Sequence, residues 1–409
     1  MIKNIYNKYK KMLLDFFINI LASMILTLTL QLALYPYMAK VFSTDEYGLI
    51  LVIMGIYNTI ISTIGTSLNN IRLVKNEKYI NSYNKGDFNL ILTVFCVIGF
   101  ISSYLIFTIG FNITLITKFF LIIAIILGII KSYSSVIFRI NLNFKLILVL
   151  NCITAIGYVI GLLLVGLTEI WPISFCLGEL TACSFIWKKT NILNEPLTKT
   201  KMFRETFNDF VILVFTNLIA NLLTYLDRLI ILPFLGTEKV AIYTVASFFG
   251  KSIGILMIPI AGVLLGYYSQ KNFKMSNKIF WKINSLVVII GVFFYLISYV
   301  ISPWFTGILY PSIIDAALPY IALANLAAII GVVASIVHPS VLKYAPIKWQ
   351  IVTQLIYGFI YLGIGIVMVR YSGLRGFCYA AITANVVRLF LLVSIGTIYL
   401  KKGRRCEDA

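Results

Sequence analysis

The sequence predicts an all-α integral membrane protein, about twelve transmembrane helices in two six-helix lobes. Three observations carry that expectation. Of the 409 residues, 60% are hydrophobic and 12% charged, with a mean hydropathy of +0.95. Soluble domains sit nearer about 45–50% apolar, and an excess of this size exceeds what one water-solvated core can bury. Basic residues crowd into alternate connections, and a corner motif near the start recurs just past the midpoint.

A span needs about 20 mostly apolar residues, and the chain offers twelve in order. The first, 13–35, runs past the length of a cleavable leader, lacks a small-residue cleavage site and reads as a retained signal-anchor. The second, 47–68, follows a Thr-Asp-Glu helix start. The third, 90–109, is almost wholly apolar, and the fourth, 119–138, is broken in charge only by Lys131. The fifth is 147–167. The sixth, 172–187, is short and carries Glu179. The seventh, 209–232, holds Asp227 and Arg228, and the eighth, 240–268, holds Lys251. The ninth to twelfth are 283–302, 316–337, 351–369 and 377–400, the last containing Arg388. Residues 1–190 form an expected N-terminal lobe of helices one to six, 191–208 a cytoplasmic linker, and 209–409 a C-terminal lobe of helices seven to twelve with a cytoplasmic tail.

Orientation follows from Lys and Arg in short loops. Of 34 such residues, 25 fall in one set of connections, including Lys3, Lys8, Lys10, Lys11, Lys85, Lys271, Lys274, Arg404 and Arg405. Only Lys40, Lys118, Lys239, Arg370 and Arg375 fall in the other. Both termini are therefore expected in the cytoplasm, and the net charge of +19 is a topology signal; no nucleic-acid partner is expected. The six cysteines lie in spans or in the tail, with no spacing that suggests a metal or a disulfide.

Residues 42–49 (FSTDEYGL) and 235–242 (LGTEKVAI) align at an offset of 193. Each places a threonine, Thr44 or Thr237, where it can cap the next helix, followed by an acid that suits the helix dipole. Six spans separate the copies, so the halves are parallel repeats, an arrangement that places substrate at the repeat interface.

Ionisable residues in apolar helices usually face protein or a watery cavity. Here they are Lys131, Glu179, Asp227, Arg228, Lys251 and Arg388, four bases to two acids, a balance that favours an anionic ligand. Polar residues recur on single helical faces: Asn58, Ser62, Gly65, Asn69 and Arg72 on the second span, Asn217, Asn221, Thr224 and Arg228 on the seventh, Tyr243, Ser247 and Lys251 on the eighth. Asn19, Ser23, Thr27 and Gln31 form a drifting row on the first. Such stripes serve equally as plain helix–helix contacts in lipid. Asp227 and Glu179 are candidates for coupling to an ion or proton, and a buried structural pair is the alternative for each.

Gly250-Lys251-Ser252 imitates the end of a phosphate loop, but Val245 stands where that motif needs glycine. His338, the single histidine, precedes Pro339 and is expected in a loop at a helix end. No nucleophile–base set and no large external loop can be assembled, so neither an enzyme nor a cofactor is expected.

Residues 225–246 (YLDRLIILPFLGTEKVAIYTVA), 40–48 (KVFSTDEYG) and 373–385 (GLRGFCYAAITAN) resemble stretches of the O-antigen and capsular polysaccharide flippases (Wzx-type). That family belongs to the superfamily of multidrug, oligosaccharidyl-lipid and polysaccharide exporters, and the resemblance spans essentially the whole chain. It implies a central cavity lined by spans one, two, seven and eight, alternating access, and a bacterial inner-membrane location. It also implies the cargo, an undecaprenyl-diphosphate-linked oligosaccharide moved to the outer leaflet while its tail stays in membrane lipid. The polysaccharide polymerase of the same pathway becomes a candidate partner. On this view Arg72, Lys131, Arg228, Lys251 and Arg388 would hold the diphosphate, and Asn58, Asn217, Asn221 and Tyr243 the sugar. The alternative is a cation- or proton-coupled small-molecule exporter on the same fold, which would favour acids in its cavity. If the charge bias sets topology, a tag at either terminus stays unlabelled by an impermeant reagent on intact cells; a labelled tail reverses the orientation.

Overall fold

The computed structural model describes residues 17, 18, 20–82, 86–268, 275–346 and 348–407. Lys3, Lys8, Lys10, Lys11, Asn19, Lys85, Lys271 and Lys274 lie outside them, as do the side chains of Arg404 and Arg405. The described chain is helical, and ten stretches of it are long and apolar enough to cross a membrane. From residue 20 onward every expected span falls on helix. The helices are α1 (Ile20–Val41), α2 (Thr44–Asn81), α3 (Asp87–Ile109), α4 (Leu115–Ile140), α5 (Phe144–Thr168), α6 (Pro172–Lys189), α7 (Phe203–Thr224), α8 (Leu226–Ala246), α9 (Phe248–Tyr268), α10 (Asn277–Leu309), α11 (Ile314–Tyr344) and α12 (Lys348–Glu407).

Two compact units emerge. The first is Met1–Val41 with Ile53–Tyr225; the second is Phe42–Val52 with Leu226–Ala409. In the first unit, α5 and α6 approach through small residues, as membrane helices must where van der Waals contact drives association. A Cβ placed on Gly157 would stand 2.8 Å from the Gly178 Cα, and Gly161 lies against Ser174. A π-helical turn at Ser62–Thr66 sets Gly65 of α2 against Ser132 of α4. One turn on, Asn69 Nδ2 donates to the Ser132 carbonyl (2.7 Å), and Arg139 Nη1 donates to Asn69 Oδ1 (2.7 Å). Two of the five residues of the expected polar stripe on the second span, Gly65 and Asn69, thus form a helix–helix seam.

Hydropathy ends that span at 68, yet α2 stays helical to Asn81. The extension is held by charge. Arg72, Lys75 and Lys78 recur every three residues and meet Glu195 (2.6 Å), Asp209 (2.7 Å) and Glu205 (2.8 Å). The connection after α6 is docked as well: Asn89 Nδ2 donates to the carbonyls of Ile192 (3.0 Å) and Glu195 (3.1 Å), and Asp87 accepts from the Thr200 N–H (2.7 Å) and the Tyr79 hydroxyl (2.7 Å). Gly86, at φ +115°, turns the chain against Pro196 and Thr198, where a side chain has neither the dihedral nor the room.

Three spans that read as continuous in the sequence are interrupted, the fourth at Ser135 within α4. The seventh divides at Tyr225, between α7 and α8, and the eighth at Ser247, between α8 and α9. Helix α8 itself kinks at Gly236 (φ 82°, ψ 178°), and α12 breaks at Ser372–Gly373, which is the junction of the eleventh and twelfth spans. The helix start after α1 is capped by Ser43, not Thr44. Ser43 Oγ and N–H both donate to Glu46 Oε2 (2.8 and 3.0 Å), and the Glu46 N–H donates back to Ser43 Oγ (3.3 Å), a reciprocal capping box. The two repeated corners then meet inside the second unit: the Thr237 hydroxyl bonds Asp45, and Gly48 abuts the Thr237 carbonyl. His338 is also displaced from its expected place. It lies inside α11, which continues through Pro339 to Tyr344.

Helix α10 shows what the surrounding solvent demands. Ile289, Val292, Phe293, Leu296 and Val300 are exposed along one face, while Gly291, Ser298, Ser302 and Thr306 are buried on the other. Large apolar side chains point out and small polar ones point in, the pattern expected when lipid surrounds the bundle. Gly48→Val should lower the thermal midpoint of detergent-solubilised protein, because overpacking costs about 1–3 kcal/mol. Gly363→Ala, with nothing within 4 Å of its Cβ, should leave it level or slightly higher; equal loss in both would refute the close crossing at Gly48.

Candidate functional site

A charge in an apolar helix needs a partner, and each unit builds one buried pair. In the first unit α4 brings Lys131 to Glu179 of α6, with Nζ 2.8 Å from both carboxylate oxygens. Tyr158 (2.5 Å) and Tyr57 (3.4 Å) donate hydroxyls to Glu179 Oε1. Phe175 packs against both tyrosine rings, at 5.5 and 5.6 Å, and closes the apolar side. Glu179 is 3% exposed, so three donors stand where water would otherwise be.

In the second unit Asp227, at the start of α8, meets Lys251 of α9, with Oδ2 2.6 Å from Nζ. Its other oxygen accepts the Arg228 N–H at 2.9 Å. The Arg228 guanidinium donates to the Leu51 carbonyl, in a segment of α2 that belongs to this unit. Asp227 is buried while Lys251 keeps 40% of its side chain exposed, so the pair is open on the lysine side.

An aromatic row continues from there. Lys251 Nζ lies 5.2 Å from the Tyr243 ring; Tyr243 meets Phe377 edge-on at 4.9 Å; Phe377 stacks on Tyr361 at 5.8 Å; Tyr361 meets Tyr357 at 5.6 Å; and the Arg388 guanidinium lies 5.1 Å over Tyr357. A cation therefore ends the row at each side, attracted by the face of a tyrosine. Tyr357, Tyr361, Phe377 and the two tyrosines around Glu179 do not stand out in the sequence. The i, i+4 spacing of Tyr357 and Tyr361 is visible there, but aromatic pairs at that spacing fill most membrane helices.

The remaining expected site residues are distributed more widely. Arg72, in the charged extension of α2, forms a two-pronged pair with Glu195 (2.6 and 2.9 Å) and lies 4.5 Å over Phe88. Asn217 Nδ2 donates to Ser67 Oγ (2.8 Å), and Asn221 Nδ2 donates to the Asn217 carbonyl (2.7 Å). Asn58 is half-buried, and its side chain makes no hydrogen bond among the described residues. Tyr243 is buried in the aromatic row. The four-to-two excess of bases is thus partly cancelled: two of the four cations are neutralised by the two acids. Among the described residues there is no cluster of three or more His, Cys, Asp or Glu that could hold a metal ion.

No protein-family profile matches this chain, and no curated protein matches it. Solved structures do. An inward-facing multidrug-resistance MATE family transporter of the MOP superfamily superposes with a TM-score of 0.68 at 10% identity, over 95% of this chain and 99% of that one. The lipid II flippase MurJ, in an inward closed conformation, superposes with a TM-score of 0.64 at 16% identity, over 91% and 86%. A single-residue mutant of the Vibrio cholerae MATE transporter VcmN gives 0.59 at 12%, over 96% and 97%. This chain has the fold that those multidrug transporters and that lipid flippase share.

Proposed function

We propose that the protein translocates an undecaprenyl-diphosphate-linked oligosaccharide from the cytoplasmic to the outer leaflet of the bacterial inner membrane, by alternating access, for O-antigen or capsule assembly. The observation that carries this reading is the sign of the charge left in the spans. Glu179 is matched by Lys131 and Asp227 by Lys251, and Arg388 meets no carboxylate among the described residues, so four bases against two acids leave a positive balance. A low-dielectric site with net positive charge suits a diphosphate and repels an organic cation. The likeness to the lipid II flippase supports a lipid-linked cargo, and the motif resemblance supports an oligosaccharide on it.

Within this proposal Lys131, Lys251, Arg228 and Arg388 meet the diphosphate during the cycle, with Arg72 where the cargo enters. Asn58, Asn217, Asn221 and Tyr243 meet the sugar, and Asp227 and Glu179 exchange an ion or proton when their lysines are drawn to the anion. The pathway's polymerase receives the product. The likeness to MATE transporters favours the second reading, a small-molecule exporter on the same fold.

Deleting the gene separates the two. Lipid-linked repeat units should accumulate on the cytoplasmic leaflet while surface glycan disappears; units still reaching the outer leaflet would bring the exporter forward. Arg388→Ala should reduce surface glycan to the deletion level at unchanged protein abundance, Lys251→Ala should do so with lower abundance because it strands buried Asp227, and Lys274→Ala should stay at the wild-type level. Equal glycan in all three strains would reject the cationic site.

A further inference from the structure

Three helices of the first unit have an end at one place. Helix α4 stops at Ile140, α5 begins at Phe144 and α6 stops at Lys189, and around these ends lies a cavity of about 400 Å³. The spans read from hydropathy stop or start at 138, 147 and 187, so the cavity sits at the boundary of the hydrocarbon and not within it. Lys188 and Lys189, which line it, belong to the connections that the charge bias assigns to the cytoplasm.

Its polar lining is uncommitted. Lys188, Lys189, Asn141 and Asn191 are exposed there, and among the described residues none of the four side chains makes a hydrogen bond or an ion pair. Asn143 and Thr190 are spent on the backbone instead: Asn143 Oδ1 accepts the Leu146 N–H (3.3 Å) as the cap of α5, and the Thr190 hydroxyl donates to the Ile186 carbonyl (2.9 Å). Phe138 and Leu146 supply the apolar lining. Two apolar residues flank the lysines and the amides. Trp187, immediately before Lys188, is 65% exposed, and Leu142, between Asn141 and Asn143, is 69% exposed at φ +50°, a backbone region that a leucine disfavours. A tryptophan at a helix end and an uncovered leucine suit a membrane interface. Two neighbouring ammoniums with no carboxylate repel each other and leave the cavity to an anion.

We propose that this cavity holds the headgroup of an anionic glycerophospholipid of the phosphatidylglycerol type, as a stationary ligand and not as cargo. The ammoniums of Lys188 and Lys189 take the phosphate, as basic pockets between helix ends do on the cytoplasmic side of a membrane. The amides of Asn141 and Asn191 donate to and accept from the glycerol hydroxyls, and Trp187 and Leu142 meet the acyl chains. A free phosphate carries the same charge, but it has no use for those two apolar residues. The proposal does not rest on the flippase reading, and none of its residues belongs to the set assigned there to the diphosphate or the sugar.

The test is native mass spectrometry of the full chain in detergent, titrated with phosphatidylglycerol or phosphatidylcholine. The wild-type protein should bind its first phosphatidylglycerol about tenfold or more tightly than phosphatidylcholine, and Lys188→Gln with Lys189→Gln should remove that preference. Lys282→Gln with Lys343→Gln, exposed lysines of the second unit, removes the same charge and should retain it. A preference that survives in the first double variant, or is lost equally in both, overturns the site. Asn191→Leu should weaken phosphatidylglycerol about threefold and leave phosphatidic acid, which has no headgroup glycerol, unchanged; an equal change in both lipids overturns the headgroup assignment. Should the first double variant fail to fold, acetylation of wild-type lysines in nanodiscs decides. Phosphatidylglycerol should protect Lys188 and Lys189, and labelling equal to that in phosphatidylcholine refutes the proposal. Equal protection by inorganic phosphate in phosphatidylcholine makes the occupant a free anion, and protection by undecaprenyl diphosphate but not by phosphatidylglycerol makes it cargo; either result overturns the stationary lipid.

Discussion

A charge surrounded by hydrocarbon must bring its own solvation, and most of the informative contacts in this protein answer that constraint. Lys131 and Glu179 come from different helices and recruit two tyrosine hydroxyls besides each other. Asp227 takes Lys251 on one oxygen and a backbone N–H on the other. The small residues of α5 and α6 allow the close approach that seats Glu179 beside Tyr158, so packing and electrostatics are settled together there. Replacing one partner alone would strand the other, which in buried pairs is the costly change. Outward faces such as that of α10 carry no such obligation and are simply apolar.

The fold was legible in the sequence because lipid imposes a length and a hydropathy on every span, and α3, α5, α10 and α11 satisfy both without interruption. Helix ends were less legible. The extension of α2 to Asn81 depends on acids more than a hundred residues away, at Glu195, Glu205 and Asp209, and no local window contains them. The breaks at Tyr225 and Ser247 fall on residue types that lie within helices elsewhere in the chain, so neither is marked locally. His338 was misplaced because a proline usually ends a helix by removing a donor and crowding the preceding turn. In α11 the helix continues through Pro339, with Val337 and Val341 on either side of it packed against Leu392 and Ile395 of α12.

The candidate site was half legible. Charged positions inside apolar spans are visible by inspection, and so is their excess of bases. Their pairing is not, because Lys131 and Glu179 are 48 residues apart and nothing in either span names the other. The same limit hid the aromatic row, whose members come from α8 and both halves of α12. The repeated corner was legible as a pattern, but its contact was not: Thr237 and Gly48, at equivalent places in the two repeats save for four residues, touch one another. Gly48 supplies the space that makes the touch possible.

The neutral pairs also determine how the protein responds to voltage. An electric field does work only on net charge, so a conformational step that carries a lysine together with its carboxylate across the membrane is nearly indifferent to the transmembrane potential. Arg388 has no such companion, and its displacement through the full field would be worth about 2.3 kcal/mol for each 100 mV. The pairing pattern of α4, α6, α8 and α9 thus leaves Arg388 as a span charge on which the field can act, and any anion bound there would offset or reverse the sign of that charge.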